Sequence, residues 1–151
     1  MQLILLGTGC PKVDHKRFGP SNLVFTKNTT ILVDCGSGVS QRLQEAKVST
    51  ANIDALVLTH LHSDHVVDLY QLIISSWHSY RINPWKIYGP KGTSETIEKL
   101  VDADSRTIPF EIITNDLEPG DTFEVGNIAV RCVRAEHGVP ALAYRLDAKG
   151  K

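Results

Sequence analysis

At 151 residues the chain is long enough to bury one hydrophobic core, and a single domain over 1–151 is expected. Its 16 Lys and Arg against 17 Asp and Glu give a formal net charge of −1, which excludes a global basic field that would hold nucleic acid by charge alone. Cys10, Cys35 and Cys132 are odd in number and form no Cys-x-x-Cys pair, which points to reduced thiols in a cytoplasmic protein. No run approaches a membrane span, and the start lacks the basic lead of a signal peptide.

Leu3 to Leu6 reads as a strand ended by Gly7-Thr8-Gly9-Cys10-Pro11, where glycine allows close backbone approach. Lys12, His15, Lys16 and Arg17 then make a basic loop, as consistent with a solvated surface as with an anion contact. Leu23-Val24-Phe25 and Ile31-Leu32-Val33 form two strands joined by a hairpin turn across Lys27 to Thr30. The second runs into Asp34-Cys35-Gly36-Ser37-Gly38. Asp34 follows three apolar residues and needs a hydrogen-bonding partner. Two roles stand level for it: capping the helix expected from Val39 to Ala46, or orienting metal ligands.

Ala55-Leu56-Val57-Leu58 is a short apolar strand leading directly into Thr59-His60-Leu61-His62-Ser63-Asp64-His65. On extended backbone, side chains two apart share a face, so His60 and His62 point the same way. A helix starting near Asp64 would let Asp64 and His65 aim back at them. Neutral imidazole and carboxylate suit zinc and similar divalent ions. Two histidines plus a third from elsewhere would hold one ion, and Asp64 with His65 could begin a second site. With 6 His and 10 Asp in the chain, His-x-His-x-Asp-His would arise by random placement in roughly one in a thousand to two thousand such chains.

Val66, Val67, Leu69, Tyr70, Leu72, Ile73, Ile74 and Trp77 follow, predicting one helix that is apolar nearly all round and therefore buried. His78, at its end, reads as a helix-end or pocket-wall residue. Trp85 to Tyr88 is a strand, closed by Gly89-Pro90-Lys91-Gly92. Thr93 or Ser94 is expected to cap a helix through Val101. Phe110 to Ile113 is the next strand and Glu118 to Asp121 a turn. Thr122 to Val125 and Ile128 to Val133 are strands, with Ile128, Val130 and Cys132 sharing one face. Ala141 to Leu146 is the final strand. His137 sits between these strands beside Gly138. An isolated histidine is more often structural, but an incomplete tri-histidine set makes a ligand role the better reading.

His60-x-His62-x-Asp64-His65 after an apolar strand, with Asp34-Cys35-Gly36 before it and His137 after it, resembles the metallo-β-lactamase superfamily. Leu5-Leu6-Gly7-Thr8-Gly9, Tyr88-Gly89-Pro90-Lys91-Gly92 and His137-Gly138-Val139-Pro140-Ala141 with Tyr144-Arg145 resemble its ribonuclease Z and arylsulfatase-like branch. The resemblance runs from residue 3 to residue 146. It implies an α/β fold, the αββα sandwich, with two zinc ions at one edge and manganese as the alternative metal. It puts His60, His62 and His137 on the first ion, and Asp64 and His65 on the second, with Asp64 as general base or orienter of the attacking hydroxide. The implied substrate is a phosphodiester, with a tRNA precursor cut at its 3′ end as the specific case. A sulfate ester or other small ester is the alternative. Both substrates present an anionic centre to two cations, so the core chemistry hardly separates them.

Two departures qualify this. Ser63 stands where ribonuclease Z usually has glycine, and with Arg17-Phe18-Gly19-Pro20-Ser21 it leans towards the arylsulfatase-like side. The family's bridging aspartate and later histidines have no counterpart up to Lys151, so the sequence carries five of seven family ligands. A weak or absent second ion is therefore expected. So is a sandwich reduced to its N-terminal half to two-thirds, lacking its second sheet-and-helix layer and exposing apolar surface and a strand edge. A homodimer, or a missing C-terminal half, is the partner that would complete it. The rival of a different class is a non-catalytic half-domain that binds metal.

Overall fold

The computed structural model describes residues 1–103 and 107–149. Six strands form the first sheet, in the order β1 (Gln2–Gly7), β2 (Ser21–Phe25), β3 (Thr30–Val33), β4 (Ala55–Val57), β5 (Trp85–Pro90) and β6 (Ile112–Leu117). The first three pair antiparallel, β1 and β2 across the long loop 8–20 and β2 and β3 through a tight turn, and β3 to β6 run parallel. β4 is buried on both faces, which is why it reads as a continuous apolar run, whereas edge strand β6 is half-exposed and carries Thr114, Asn115 and Asp116.

The register decides which residues meet which layer. Leu32, Leu56 and Ile87 lie side by side on one face. There they pack with Val39 and Leu43 of α1 (Val39–Glu45), Leu69, Leu72 and Ile73 of α3 (Leu69–His78), and Ile97 of α4 (Thr93–Asp102). Their neighbours Ile31, Val57 and Tyr88 point the other way, as the two-residue pleat requires. They meet a second, antiparallel sheet of β7 (Thr122–Val125), β8 (Ile128–Arg134) and β9 (Leu142–Ala148), through Val125, Ile128, Val130, Cys132 and Leu142. Tyr88 stacks on Phe123 across the sheets, ring centroids 3.9 Å apart. Thr26 and Thr29 hydroxyls donate to the Asn127 side-chain carbonyl and tie the two hairpin turns together.

Four expectations need correction. The chain carries a second sheet of three strands, whose outward residues Thr122, Glu124, Arg131, Arg145 and Asp147 are exposed and polar. Arg145 pairs there with Asp147, and Lys149 with Glu124, so this face is mostly polar, with Val133 exposed on it, and no described helix covers it. The exposed leucines sit instead on edge strand β1, at Leu3 and Leu5.

The helix expected from Val66 to Trp77 is broken into α2 (Ser63–Val66) and α3, with Val67 58% exposed between them. Asp68 causes the break. Its amide donates to the Cys35 carbonyl at 3.2 Å, and its carboxylate accepts from the Ser40 amide and hydroxyl at 2.8 and 2.7 Å. The backbone there is tied to the loop after β3 and cannot continue straight.

At α4, the residue at the N-terminal boundary is Gly92, at φ +97°, rather than Thr93 or Ser94. The Thr93 hydroxyl donates backwards to the Pro90 carbonyl, and Asp116 of β6 accepts from the Gly92 and Ser94 amides at 2.8 Å each. The strand expected at Phe110 to Ile113 begins at Ile112, because Phe110 turns into the helix-side core beneath the Arg81 guanidinium.

Candidate metal centre

The centre lies where β4 ends against β5. The Leu58 amide donates to the Tyr88 carbonyl at 2.7 Å, and the chain then bends at Thr59 and is extended at His62 (φ −65°, ψ 147°) before α2 begins. The His60 and His62 rings lie together, centroids 4.8 Å apart, and the first turn of α2 carries Asp64 and His65. Leu61 packs beside Gly92, where an added Cβ would lie 3.5 Å from the leucine Cδ1. On the other side the loop rests on Gly36, where a Cβ would come within 2.6 Å of the Asp64 carbonyl oxygen, so only glycine lets the two loops close.

The second sheet brings the third histidine. Leu142 of β9 donates its amide to the Thr59 carbonyl, and the Tyr144 hydroxyl donates to the Leu58 carbonyl, both at 2.8 Å. These bonds lock β9 onto the end of β4, and the β8–β9 loop carries His137 over the cluster. His60, His62 and His137 offer ring nitrogens that all lie within 4.8 Å of one another. His137 Nε2 and His62 Nδ1 are 3.1 Å apart. Two nitrogens bound to one tetrahedral zinc at about 2.05 Å would lie roughly 3.3 Å apart. The spacing therefore fits a shared divalent ion.

Asp34 organises the floor. It is buried, 4% exposed, at φ +61°, a conformation Asp and Asn tolerate better than most residues. Its Oδ1 accepts from the Thr59 amide at 2.8 Å and hydroxyl at 3.0 Å, and its Oδ2 lies 2.8 Å from His65 Nδ1. The Thr59 hydroxyl also sits 3.0 Å from His60 Nδ1. One carboxylate thus steadies two imidazoles, His65 directly and His60 through Thr59. With the His65 Nδ1 proton given to Asp34, the Nε2 lone pair is left facing Asp64, whose Oδ2 is 3.6 Å away. Of the two roles left level for Asp34, orienting histidines is the one its contacts match; α1 has no side-chain cap.

The electrostatics agree with the contacts. Burial first, and then the neighbouring His65 and His137, lower the His60 pKa, favouring a neutral ring with a free lone pair. The Asp34 hydrogen bond raises that of His65. Burial, with Asp68 and Asp34 nearby, pushes the Cys35 thiol up, which keeps it neutral and unsuited to metal.

His15 and His78 do not join the cluster; both are exposed elsewhere. Lys12, Lys16 and Arg17 are exposed on the loop after β1, around a hollow of about 420 Å³. Sequence reasoning missed Thr59 and Tyr144 as parts of the site. A hydroxyl residue immediately before the first histidine was the available signal for Thr59; for Tyr144 it was its place in the motif that follows His137.

The family model described as anti-Pycsar protein Apyc1 matches residues 1–146. The chain belongs to that family. It is also similar to ribonuclease Z of Mycobacterium marinum, 33% identical over 99% of this chain and 60% of that protein. Ribonuclease Z of Mycolicibacterium gilvum is 35% identical over 99% of this chain and 58% of that protein. The chain therefore spans about 60% of the length of these curated relatives. Among solved structures, the short form of human tRNase Z superposes with TM-score 0.88 at 23% identity, over all of this chain and 66% of that one. The metallo-β-lactamase fold protein YhfI of Bacillus subtilis superposes with TM-score 0.79 at 22% identity, over 96% of this chain and 56% of that one. The fold of this Apyc1-family chain is the metallo-β-lactamase fold, as the histidine motif implied.

Proposed function

We propose that the protein is a metal-dependent hydrolase of ribonuclease Z type that cleaves phosphodiesters, with the 3′ end of a tRNA precursor as the specific substrate. The observation that carries this reading is the convergence of His137, from the second sheet, on His60 and His62 of the first. The names of the curated relatives support it. Zinc is the metal this donor set favours: the three imidazoles would hold a first ion, and Asp64 with His65, an incomplete set, would hold a second only weakly. When bound, the metal polarises a phosphoryl oxygen and brings the pKa of water to about 7.

The chain's own residues do the rest. Asp64, 16% exposed in its side chain and 3.6 Å from His65 Nε2, would accept the proton of the attacking water or orient it. Asp34 holds the His65 Nδ1 proton, so that Nε2 remains a base of fixed direction. Thr59 does the same for His60 through its hydroxyl. The three unpaired thiols support a reducing, cytoplasmic setting.

The test is turnover by the zinc-loaded protein of bis(4-nitrophenyl) phosphate, of a 3′-extended tRNA precursor and of 4-nitrophenyl sulfate. Cleavage of both phosphodiesters, lost in His62→Ala, is expected. Zinc-loaded protein that cleaves only the sulfate, or a fully active His62→Ala variant, would refute the reading.

A further inference from the structure

Beside the metal centre lies a cavity of about 440 Å³ whose wall includes His137, Lys91, Arg134, Glu118, Leu117 and Val139. Lys91 follows the last residue of β5 and Arg134 is the last residue of β8, so each sheet contributes one cation at its site-facing end. Lys91 is held close to the histidine loop, because its neighbour Gly92 packs against Leu61. Neither cation has an ion-pair or hydrogen-bonding side-chain partner among the described residues. Arg145, Lys149, Lys99 and Arg42, by contrast, all have carboxylate partners. Asp116 is near enough for the Lys91 charge to act on it, but it spends both oxygens on the Gly92 and Ser94 amides. Glu118 is the one carboxylate on the cavity wall.

We propose that Lys91 and Arg134 form an anion clamp that selects a phosphate-bearing ligand for this cavity and so determines the specificity of the metal centre. This rests on the phosphodiesterase reading above. Two cations without an ion-pair partner on an open wall suit a phosphate, and Val139 and Pro140 offer an apolar surface for the flat ring of a nucleobase. The volume is within the range of small-ligand sites. The ligand class is therefore a nucleoside phosphate unit of the substrate, bound with its phosphate between the two cations and its base on the apolar wall. Glu118 opposes the phosphate, which gives the proposal a test of opposite sign.

The experiment is calorimetric titration of the metal-loaded protein with adenosine 5′-monophosphate, adenosine and inorganic phosphate, repeated on Lys91→Gln, Arg134→Gln and Glu118→Gln. The nucleotide should bind at least about tenfold tighter than either fragment, and each cation variant should weaken it by about tenfold, the loss expected for one charge-assisted contact. Glu118→Gln should tighten it by about threefold, a gain that structural damage does not produce. Lys91→Arg should restore binding lost in Lys91→Gln. Unchanged nucleotide affinity in both cation variants, or adenosine binding as tightly as the nucleotide, overturns the clamp. Turnover of bis(4-nitrophenyl) phosphate by the unmodified protein, measured in parallel, separates the two ideas. Its absence alongside the expected binding pattern sinks the hydrolase reading and leaves the clamp standing.

Discussion

Replacing Asp34 by Asn should disturb the metal centre without unfolding the chain. Asn tolerates the φ of +61° found there, so no backbone strain is added. Its carbonyl can still accept from the Thr59 amide, now 2.8 Å from Oδ1. Its NH2 group would then face His65 Nδ1, now 2.8 Å from Oδ2. A donor there forces Nδ1 to become the acceptor, and the ring proton moves to Nε2, the nitrogen that faces Asp64. A hydrogen bond to a charged acceptor contributes about 1.5–3 kcal/mol, so losing one corresponds to roughly 10- to 150-fold in the binding that depends on it. The expected result is a zinc affinity lowered by one to two orders of magnitude at the Asp64–His65 position, and by less at His60, which is steadied through Thr59.

The assays are zinc competition against a chromophoric chelator at pH 7.5 and the His65 tautomer by NMR of the metal-free protein. Nδ1–H is expected in the native sequence and Nε2–H in the variant. The pH dependence has a definite sign. The folded pKa of His65 is raised, so the Asp34–His65 pair stabilises the metal-free fold fully below about 6.5, and that contribution is lost as pH rises through the higher folded value. Asp34→Asn should remove this dependence. An unchanged tautomer together with unchanged zinc affinity would refute the reasoning.

If His137 completes the proposed site, His137→Ala should reduce bound zinc by at least one equivalent in elemental analysis. Because His137 is exposed, the melting temperature of the metal-free protein should move little. Arg81 is buried beneath Trp85 and Phe110, and donates to the Thr50 and Ile53 carbonyls at 2.9 and 2.7 Å. Burial, opposed by Asp54, lowers its pKa to about 10, still charged at neutral pH. Arg81→Ala orphans the Ile53 carbonyl, while the Thr50 carbonyl keeps the Ser76 hydroxyl, and it leaves a void, so it should cost about 3 kcal/mol in urea unfolding. A loss under about 1 kcal/mol would contradict the assigned contacts. Asp116 is partly desolvated, but the Gly92 and Ser94 amides hold its pKa below the ordinary 3.8. Its stabilisation is therefore complete above that value and is lost as pH falls through the depressed one. Asp116→Asn should flatten that part of the pH–stability profile between pH 5 and 2.

The sequence by itself determined whatever depends on neighbours a few positions apart. His60, His62, Asp64 and His65 could be read as one group, because strand pleat and a first helical turn aim side chains by spacing alone. The inward face of β8 was legible from Ile128, Val130 and Cys132 for the same reason. The helix break at Val67 and Asp68 was not, because it depends on Cys35 and Ser40, partners 33 and 28 positions from Asp68 whose bonds override an apolar helical pattern. The capping of α4 by Asp116 and the choice between two roles for Asp34 were hidden likewise, since a carboxylate shows its partner only when the chain is folded around it. Only the tertiary structure decided that His137 meets His62, 75 residues away. That meeting depends on stacking two sheets and locking β9 to β4 through the Thr59 carbonyl and Tyr144. It is a property of packing between elements, and no local periodicity carries it.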